Sequence, residues 1–333
     1  MIDEEMNMLK GKGNKSIAPT VIIVVLLALF SSSPSFTSGY LLRVLNITMI
    51  TYLCVLSVYV LLGMCGQNSF AQAGLWGVGA YLTANMTLKL GLSSSVSLLI
   101  SVFGTALMAF VLGFAFFRLR QYYFTFATIG LVTILNGVFM NWTPVTGGAL
   151  GITGIPNFSL FGYVFSSEMA NFYLILFFCI IVNFLIMLLF KSALGRSFMA
   201  IRDNEIAANC LGVNSLLTKS IAFAISGGLC GLAGALYAFL SGYLSYQSFT
   251  FNQSVIYLIM IMLGGTMSPV GAIIGTLIIS LMQEWIRPLQ DYMLFIYGAG
   301  IMLLMIVQPE GILGGGKALY DKINKRRQAR THP

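Results

Sequence analysis

Long apolar runs alternate with short polar segments along almost the whole chain. The runs are roughly 20 residues long, and a helix of that length matches the hydrocarbon core of a bilayer. Each run therefore predicts one membrane-spanning helix. The sequence predicts an all-α, polytopic membrane helix bundle with about ten spans. These spans are residues 18–33, 41–64, 70–88, 93–117, 122–140, 169–190, 220–244, 253–267, 270–286 and 292–308.

The composition agrees with this pattern. Of the 333 residues, 58% are hydrophobic and 8% are charged, and the mean hydropathy is +0.89. Such values are typical of multi-pass membrane proteins and exclude a soluble enzyme. We predict a cytoplasmic N-terminal tail at residues 1–17, a single transmembrane domain at 18–308 and a basic cytoplasmic tail at 309–333. Residues 21–30 resemble a signal-peptide core, but no clean cleavage site follows them, so they are interpreted as part of a retained first span.

The net charge of +8 comes from basic residues that stand singly between apolar runs or in the tail. This distribution indicates membrane topology rather than nucleic-acid binding. With ten spans and a cytoplasmic N-terminus, fifteen Lys and Arg residues lie inside and three lie outside. The bias predicts that both termini are cytoplasmic. The segment 141–168, which has no Lys or Arg, is then an external loop, and 191–219 is a cytoplasmic loop.

Cysteine and histidine form no pattern for catalysis or metal binding. The five cysteines lack CxxC spacing, and the single histidine is His332. We therefore expect no disulfide, no metal site and no catalytic constellation. Residues 311–318, GILGGGKA, have the spacing of a phosphate-binding loop, but Ala318 occupies the position of the required Ser or Thr and a membrane span precedes it. The chain is predicted to be neither an enzyme nor an ATPase.

The sequence has no buried carboxylate that would indicate ion coupling. Glu168, Glu284 and Asp291 all lie near the ends of predicted spans. Carriers driven by a proton or sodium gradient generally need ionisable or carbonyl-rich sites deep in the membrane. We therefore expect the energy for any transport to come from outside this chain.

Two polar segments within the apolar runs are candidates for a translocation path. Gln67, Ser69 and Gln72 lie at the start of a predicted span, where uncharged amides need hydrogen-bond partners or water. They either connect helices or line the path. Gly264 and Gly265 interrupt a short span, and this break either lines a cavity or forms a tight turn between two helices. Small residues at four-residue steps, such as Gly227 and Gly231, predict close helix packing.

The segment 192–214, SALGRSFMAIRDNEIAANCLGVN, is unusually polar for this chain. Asp203 is the predicted N-cap of a helix of about eight residues that ends at Gly212, with Glu205 in its first turn. Such a helix is too short and too polar to span a membrane, so it needs a docking surface. That surface is either the membrane domain itself or a cytoplasmic partner. The apolar stripe of this helix is Ile206, Ala207, Cys210 and Leu211.

Segment 192–214 closely resembles the cytoplasmic coupling loop of LivM-type permeases of branched-chain amino acid ABC importers, in the LivH/LivM permease family. Four further segments are similar to motifs of that family in the same order, so the resemblance covers about residues 66–314. They are GQNSFAQAGLWGVGAY (66–81), TGGALGITGIP (146–156), which begins with Thr146, LGGTMSPVGAIIGT (263–276) and QPEGILG (308–314).

The resemblance implies a permease subunit that pairs with a second, LivH-type permease chain. It also implies two cytoplasmic ATPase subunits, which hold ATP and magnesium, a periplasmic or lipid-anchored substrate-binding protein and a location in the bacterial inner membrane. Arg202, Asp203, Glu205 and the stripe through Gly212 would then form the ATPase-coupling helix. Gln67, Ser69, Gln72, Thr146, Gly264 and Gly265 would be candidates for the path.

Departures from the family pattern leave the cargo open. Gln72 stands where many relatives have His. Val270 and Ala272 replace the usual Gly-Pro motif around the turn that follows Gly264 and Gly265. Gln308 and Glu310 replace basic residues. Branched-chain amino acids are the expected substrates, and urea, short amides or other amino acids are the alternatives. The competing hypothesis from another class is an autonomous secondary transporter.

Overall fold

A computed structural model describes residues 39–119, 121–160, 162–266, 268–286 and Gly298. Nearly all of the ordered elements are helices, with four two-residue strands. The long helices are α1 (Gly39–Val58), which continues as a π-helix (Tyr59–Met64), α2 (Gln72–Leu88), α3 (Ser94–Phe116), α4 (Gln121–Asn141), α6 (Glu168–Lys191), α9 (Ser215–Ser241), α10 (Phe251–Gly264) and α11 (Pro269–Ile286). The short elements are α5 (Thr143–Thr146), β1 (Ile152–Thr153), β2 (Ser159–Leu160), β3 (Tyr163–Val164), α7 (Ala193–Asp203), α8 (Glu205–Cys210) and β4 (Tyr243–Leu244), with 3₁₀ turns at Gly148–Leu150 and Tyr246–Ser248.

Five described helices are long and apolar enough to cross a membrane, and the number becomes six if α10 and α11 are counted as one bent span. The bend between α10 and α11 is 119°. Helix α2 has 17 residues and is slightly shorter than a full span. The all-helical membrane bundle is therefore confirmed, whereas the described residues do not reach the predicted ten spans. Predicted spans 18–33 and 292–308, and both tails, lie outside the described residues apart from Gly298.

Helix α9 lies at the centre of the bundle, where it packs mainly against α3, α2 and α1. Its glycines allow backbones to approach closely, since a Cβ atom on Gly79 of α2 would lie 2.6 Å from the Cα atom of Gly231. A Cβ atom on Gly231 would in turn lie 2.8 Å from the carbonyl oxygen of Ser101 in α3. The Ser101 hydroxyl also donates to the Gly79 carbonyl at 2.5 Å. We call Gly79, Gly227, Gly231 and Gly234 the glycine seam, and the predicted packing role of Gly227 and Gly231 is confirmed.

The residues predicted to be outside and inside lie at opposite ends of the bundle. At one end Arg43 and Glu168 form an ion pair at 3.2 Å, and Lys89 Nζ donates to the carbonyl of Pro144. At the other end lie α7, α8 and the start of α9. We call this second end the hairpin end, because α7 and α8 form a polar hairpin (residues 193–212) there. The grouping agrees with the charge pattern of the sequence.

The segment 141–168, predicted as an external loop, is an ordered cap on the end opposite the hairpin. Strand β1 pairs antiparallel with β4, and β2 pairs with β3. Asn85 of α2 donates to the carbonyl of Val145 at 2.8 Å, which fixes the cap to the bundle. The side chain of Leu150 is 86% exposed on this cap.

Candidate functional site

The polar hairpin consists of two helices rather than the single predicted one. Helix α7 has 11 residues and buries Gly195, Phe198 and Ile201, a spacing of three residues that places them on one face. Charged neighbours hid this stripe in the sequence. Helix α8 has six residues, not the predicted eight or so. The prediction of Asp203 as its N-cap was wrong, because Asp203 is the last residue of α7 and Asn204 is the cap, whose side chain accepts a hydrogen bond from the Ala207 amide at 3.0 Å.

The apolar stripe of α8 points away from the bundle. Ile206 is 78% exposed and Leu211 is 85% exposed, and Ala207 and Cys210 are also exposed. The α8 residue that packs against the bundle is Ala208, which is buried. Gly212 follows with a φ of +87°, a conformation that favours glycine and ends the helical segment as predicted. Of the two surfaces considered for the stripe, the part of the membrane domain that the structure describes is therefore not the one it packs against.

Helix α8 is connected to α9 by an ion pair that is buried on the Lys219 side. Lys219 Nζ lies 2.6 Å from Glu205 Oε1, and the Lys219 side chain is only 8% exposed whereas that of Glu205 is 46% exposed. The Lys219 ammonium also lies 6.0 Å from the centre of the Phe117 ring. In addition, Asn209 Oδ1 accepts a hydrogen bond from the Ser215 hydroxyl at 2.5 Å. The sequence marked Lys219 only as a topology signal, so this role was missed.

Arg202 connects the hairpin to the first described span. Its Nη1 donates to the carbonyl of Gly63 at 2.7 Å, and its Nε and Nη2 donate to Asp203 at 3.3 and 3.2 Å. Gly63 lies in the π-helix that ends α1. Gly66 lies under the Arg202 side chain, since a Cβ atom on Gly66 would be 2.7 Å from Arg202 Cγ. The sequence distance of 139 residues between Arg202 and Gly63 explains why no local pattern predicts this contact.

The candidate path residues lie at a break between α1 and α2. Gln67 and Ser69 are within the break, and Gln72 is the first residue of α2. We call residues 65–71 the joint, because they have no regular secondary structure apart from a turn. Gln67 is buried and donates to the Cys65 carbonyl at 3.5 Å, and the Ser69 hydroxyl accepts from the Ala71 amide at 3.2 Å. Gln72 is fully buried, and neither atom of its amide has a hydrogen-bond partner among the described residues.

The first turns of α2, next to Gln72, are enclosed by aromatic side chains. The ring of Trp76 lies 4.8 Å from the rings of both Tyr237 and Phe249 and 6.2 Å from that of Tyr257. The indole nitrogen of Trp76 is buried without a partner among the described residues, like the Gln72 amide. This part of α2 thus combines polar atoms that have no partner among the described residues with a wall of aromatic side chains.

The other three path candidates have structural roles. Thr146 is buried, and its hydroxyl donates to the Phe139 carbonyl at 2.7 Å and accepts from the Gly148 amide at 3.2 Å. Gly264 and Gly265 form a turn between α10 and α11, at which Gly265 has a φ of +114°. A Cβ atom on Gly264 would collide with the Gly271 backbone. Of the two alternatives for residues 264–265, these contacts favour a tight turn between two helices rather than a break that lines a cavity.

Within the described residues, no group of three or more His, Cys, Asp or Glu side chains could hold a metal ion. The described side chains around the hairpin and the joint make hydrogen bonds, ion pairs and apolar contacts. These contacts attach the polar hairpin to a break in the bundle.

Comparison with known proteins shows the family to which the chain belongs. Residues 40–307 match the family described as "Branched-chain amino acid transport system / permease component". The chain is 30% identical over 321 residues, 90% of this chain and 76% of the relative, to the high-affinity branched-chain amino acid transport system permease protein LivM of Escherichia coli K12. The LivM protein of Salmonella typhimurium LT2 has the same identity and coverage.

Relatives of lower identity are named for the import of another substrate. The chain is 27% identical over 288 residues, 80% of this chain and 77% of the relative, to the autoinducer 2 import system permease protein LsrC of Salmonella paratyphi A. No solved structure matches the chain. On the family match, which covers most of the sequence, the chain belongs to the permease components of branched-chain amino acid transport systems.

Proposed function

We propose that this chain is the membrane-spanning permease subunit of an ATP-binding-cassette importer that moves branched-chain amino acids across a bacterial inner membrane. The single observation that carries the coupling role is the exposed apolar stripe of α8, on a short helix that is held at the end of the bundle and buries only Ala208 there. An apolar stripe on an anchored helix fits a groove on a partner protein.

The partners follow from the family. Two ATPase subunits, which bind ATP and magnesium, would receive the α8 helices of this chain and of a second permease chain in their grooves. With the hairpin end in the cytoplasm, the cap at residues 141–168 faces a substrate-binding protein on the opposite side. Branched-chain amino acids are proposed as the cargo because the LivM relatives carry that name at 30% identity.

Copurification tests the coupling role. Changing Ile206 and Leu211 together to Asp places two charges in the proposed interface, which we expect to weaken ATPase association by about 2 kcal/mol or more while the permease remains folded in the membrane. The readout is the amount of ATPase that copurifies with the tagged permease. Leu150→Asp is the matched control, since it makes the same change at an exposed residue on the opposite end.

Transport tests the energy source. Uptake of labelled leucine by the complex in proteoliposomes should require ATP inside the compartment that contains the ATPases and should persist when ion gradients are collapsed. Uptake by the purified chain alone, driven by a proton or sodium gradient, would overturn the proposal. Unchanged ATPase association in the Ile206 and Leu211 double variant would remove α8 from the interface.

A further inference from the structure

Three parts of the chain meet at the end of the π-helix. Arg202 of α7 donates to the carbonyl of Gly63 and lies over Gly66. On another side of Gly63, a Cβ atom would collide with the carbonyl of Thr266 in the turn between α10 and α11. Glycine at both positions is thus explained by what packs on them, and Arg202 fills the space above the start of the joint.

The Gly63 carbonyl, to which Arg202 donates, accepts no hydrogen bond from the amide four residues later. The amide four residues after Gly63 is that of Gln67, and it donates to Leu61 instead, at 2.9 Å. The Gly66 amide donates to Leu62 at 3.1 Å. A carbonyl without an intrahelical donor needs another partner when it is partly buried, and the guanidinium supplies a charged donor there.

The joint beyond this point is held by scattered side-chain hydrogen bonds. Thr125 of α4 donates to the Asn68 carbonyl at 3.2 Å, and the Phe70 amide donates to Thr128 at 3.1 Å. The Ala73 amide donates to Ser254 of α10 at 3.0 Å. These bonds are not part of a continuous helical ladder, so the joint can change conformation without breaking a helix.

Lys219 and Arg202, two cations of the hairpin end, differ in what they contact. Lys219 connects Glu205 of α8 to α9, whose backbone is packed directly against α2 and α3 along the glycine seam. Arg202 connects the hairpin to the joint, which leads to Gln72. One residue, Asn204, separates α7 from α8, so a displacement of α8 reaches the Arg202 guanidinium directly.

We propose that Arg202 is the positioning residue through which α8 acts on the translocation path. When α8 moves, the guanidinium carries the Gly63 carbonyl with it and changes the conformation of the joint beside Gln72. Arg is suited to this role because its planar fork binds Gly63 and Asp203 at the same time, which a Lys ammonium cannot do with the same geometry. The inference rests on the proposed function, since it needs a partner that moves α8.

The test is the number of leucine molecules imported per ATP hydrolysed by the complete complex in proteoliposomes. For Arg202→Ala we expect this ratio to fall by about tenfold or more, a typical size for the loss of coupling between two sites, while the ATPases still copurify. Arg202→Lys should give an intermediate ratio. Arg196→Ala is the matched control, because Arg196 lies on the same helix but its Nη1 donates to the carbonyl of Lys191, at the end of α6, rather than to the π-helix before the joint. It should keep the wild-type ratio.

A second variant distinguishes a positioning role from a general loss of stability. Gly66→Ala places a methyl group 2.7 Å from Arg202 Cγ at a backbone φ of +70°, so both the contact and the backbone strain should lower the ratio in the wild-type background. Adding Gly66→Ala to Arg202→Ala should lower it by less, because the contact with Cγ is gone and only the backbone strain remains. A wild-type ratio for Arg202→Ala, or full additivity of the two changes, would overturn the inference. The inference would also be overturned if uptake falls only because the ATPases no longer copurify.

The proposed function fails in a different way. If no ATPase copurifies with the wild-type chain, or if leucine is imported without ATP, the proposed function itself is wrong. This holds whatever ratio the Arg202 variants give.

Discussion

Gln72 is a fully buried glutamine whose amide has no hydrogen-bond partner among the described residues. An unsatisfied amide costs about 1–3 kcal/mol of stability relative to a satisfied one. Its position at the first residue of α2, next to the joint and the aromatic wall around Trp76, gives a reason for the cost. Under the proposed function, we expect this amide to contact the amino acid, or the water that accompanies it, as it passes.

Gln72→Met separates this role from packing. Methionine has a similar shape without polar atoms, so the free energy of unfolding should stay the same or rise by about 1 kcal/mol. Leucine uptake should fall, with ATPase copurification unchanged. The measurements are thermal unfolding of the purified complex and initial uptake rate.

Ser226→Ala is the control for the Gln72 variant. The Ser226 hydroxyl is also buried without a partner among the described residues, but it lies on α9 rather than on α2. It should leave uptake unchanged. Normal uptake with Gln72→Met would assign Gln72 to packing alone.

At the residue scale, local sequence rules predict helix ends only to within a residue. Asp203 and Asn204 are both good N-caps, and the sequence does not distinguish between them. The structure selects Asn204 because Asp203 continues α7 and binds Arg202. The Arg202 and Gly63 contact joins positions that are far apart in sequence, so it depends on the packing of α1 against the hairpin and no local pattern reveals it.

At the scale of elements, hydropathy predicts where spans lie but not where they break. Residues 41–64 form one continuous apolar run, yet the run ends in a π-helix, and α2 begins at Gln72 rather than at residue 70. A π-helix depends on how carbonyls find donors at the end of the span and leaves no mark in the hydropathy pattern. Helix α7 was missed for a related reason, because Arg196 and Arg202 raise the average polarity around its buried stripe.

The connection between α8 and α9 gives a prediction about these two elements. Glu205→Gln leaves the Lys219 ammonium buried without a carboxylate, so we expect the free energy of unfolding to fall by about 1 kcal/mol, a value reduced from that of a fully buried pair because Glu205 is half exposed. Changing Lys219 to Met in addition removes the buried charge and should restore most of the loss. Thermal unfolding of the purified complex measures both effects.

Failure of Lys219→Met to rescue Glu205→Gln would contradict this account of the ion pair. Glu168→Gln at the opposite end is a useful comparison. Glu168 forms an ion pair with Arg43, whose side chain is more exposed than that of Lys219. We therefore expect a smaller loss of the free energy of unfolding.

At the scale of the whole molecule, the cysteines provide a test of orientation. All five lie in the described part of the chain, and Cys210 is exposed whereas the other four are buried. Burial raises the pKa of the Cys65 thiol to about 12, with a smaller opposing effect of Lys219, so this thiol, just beyond the span that ends at Met64, stays protonated and unreactive at neutral pH.

A membrane-impermeant maleimide should therefore label the chain at Cys210. We expect labelling in inside-out vesicles stripped of ATPases and none in right-side-out vesicles, because the hairpin end is proposed to be cytoplasmic. Adding back the ATPase subunits should protect Cys210, since it lies on the proposed docking stripe. Cys210→Ser is the control that should abolish labelling. Labelling from the outer side would reverse the orientation.

The overall architecture was predictable because each apolar run must form its own hydrogen-bonded helix in a bilayer. The way in which the helices associate was predictable only in part. Four-residue steps of small residues indicated that Gly227 and Gly231 pack closely, but not that their partners are α2 and α3. Those partners depend on contacts between segments more than 100 residues apart.

The glycine seam has a consequence for the route of the cargo. Where Gly79 and Gly231 meet, main chain lies directly on main chain, so there is no side chain between α2 and α9 that could rotate aside. Opening a passage there would require three packed helices to separate along their length. Helices α2, α3 and α9 should thus behave as one rigid body, and under the proposed function we expect the amino acid to travel along the outer flank of this body rather than through it.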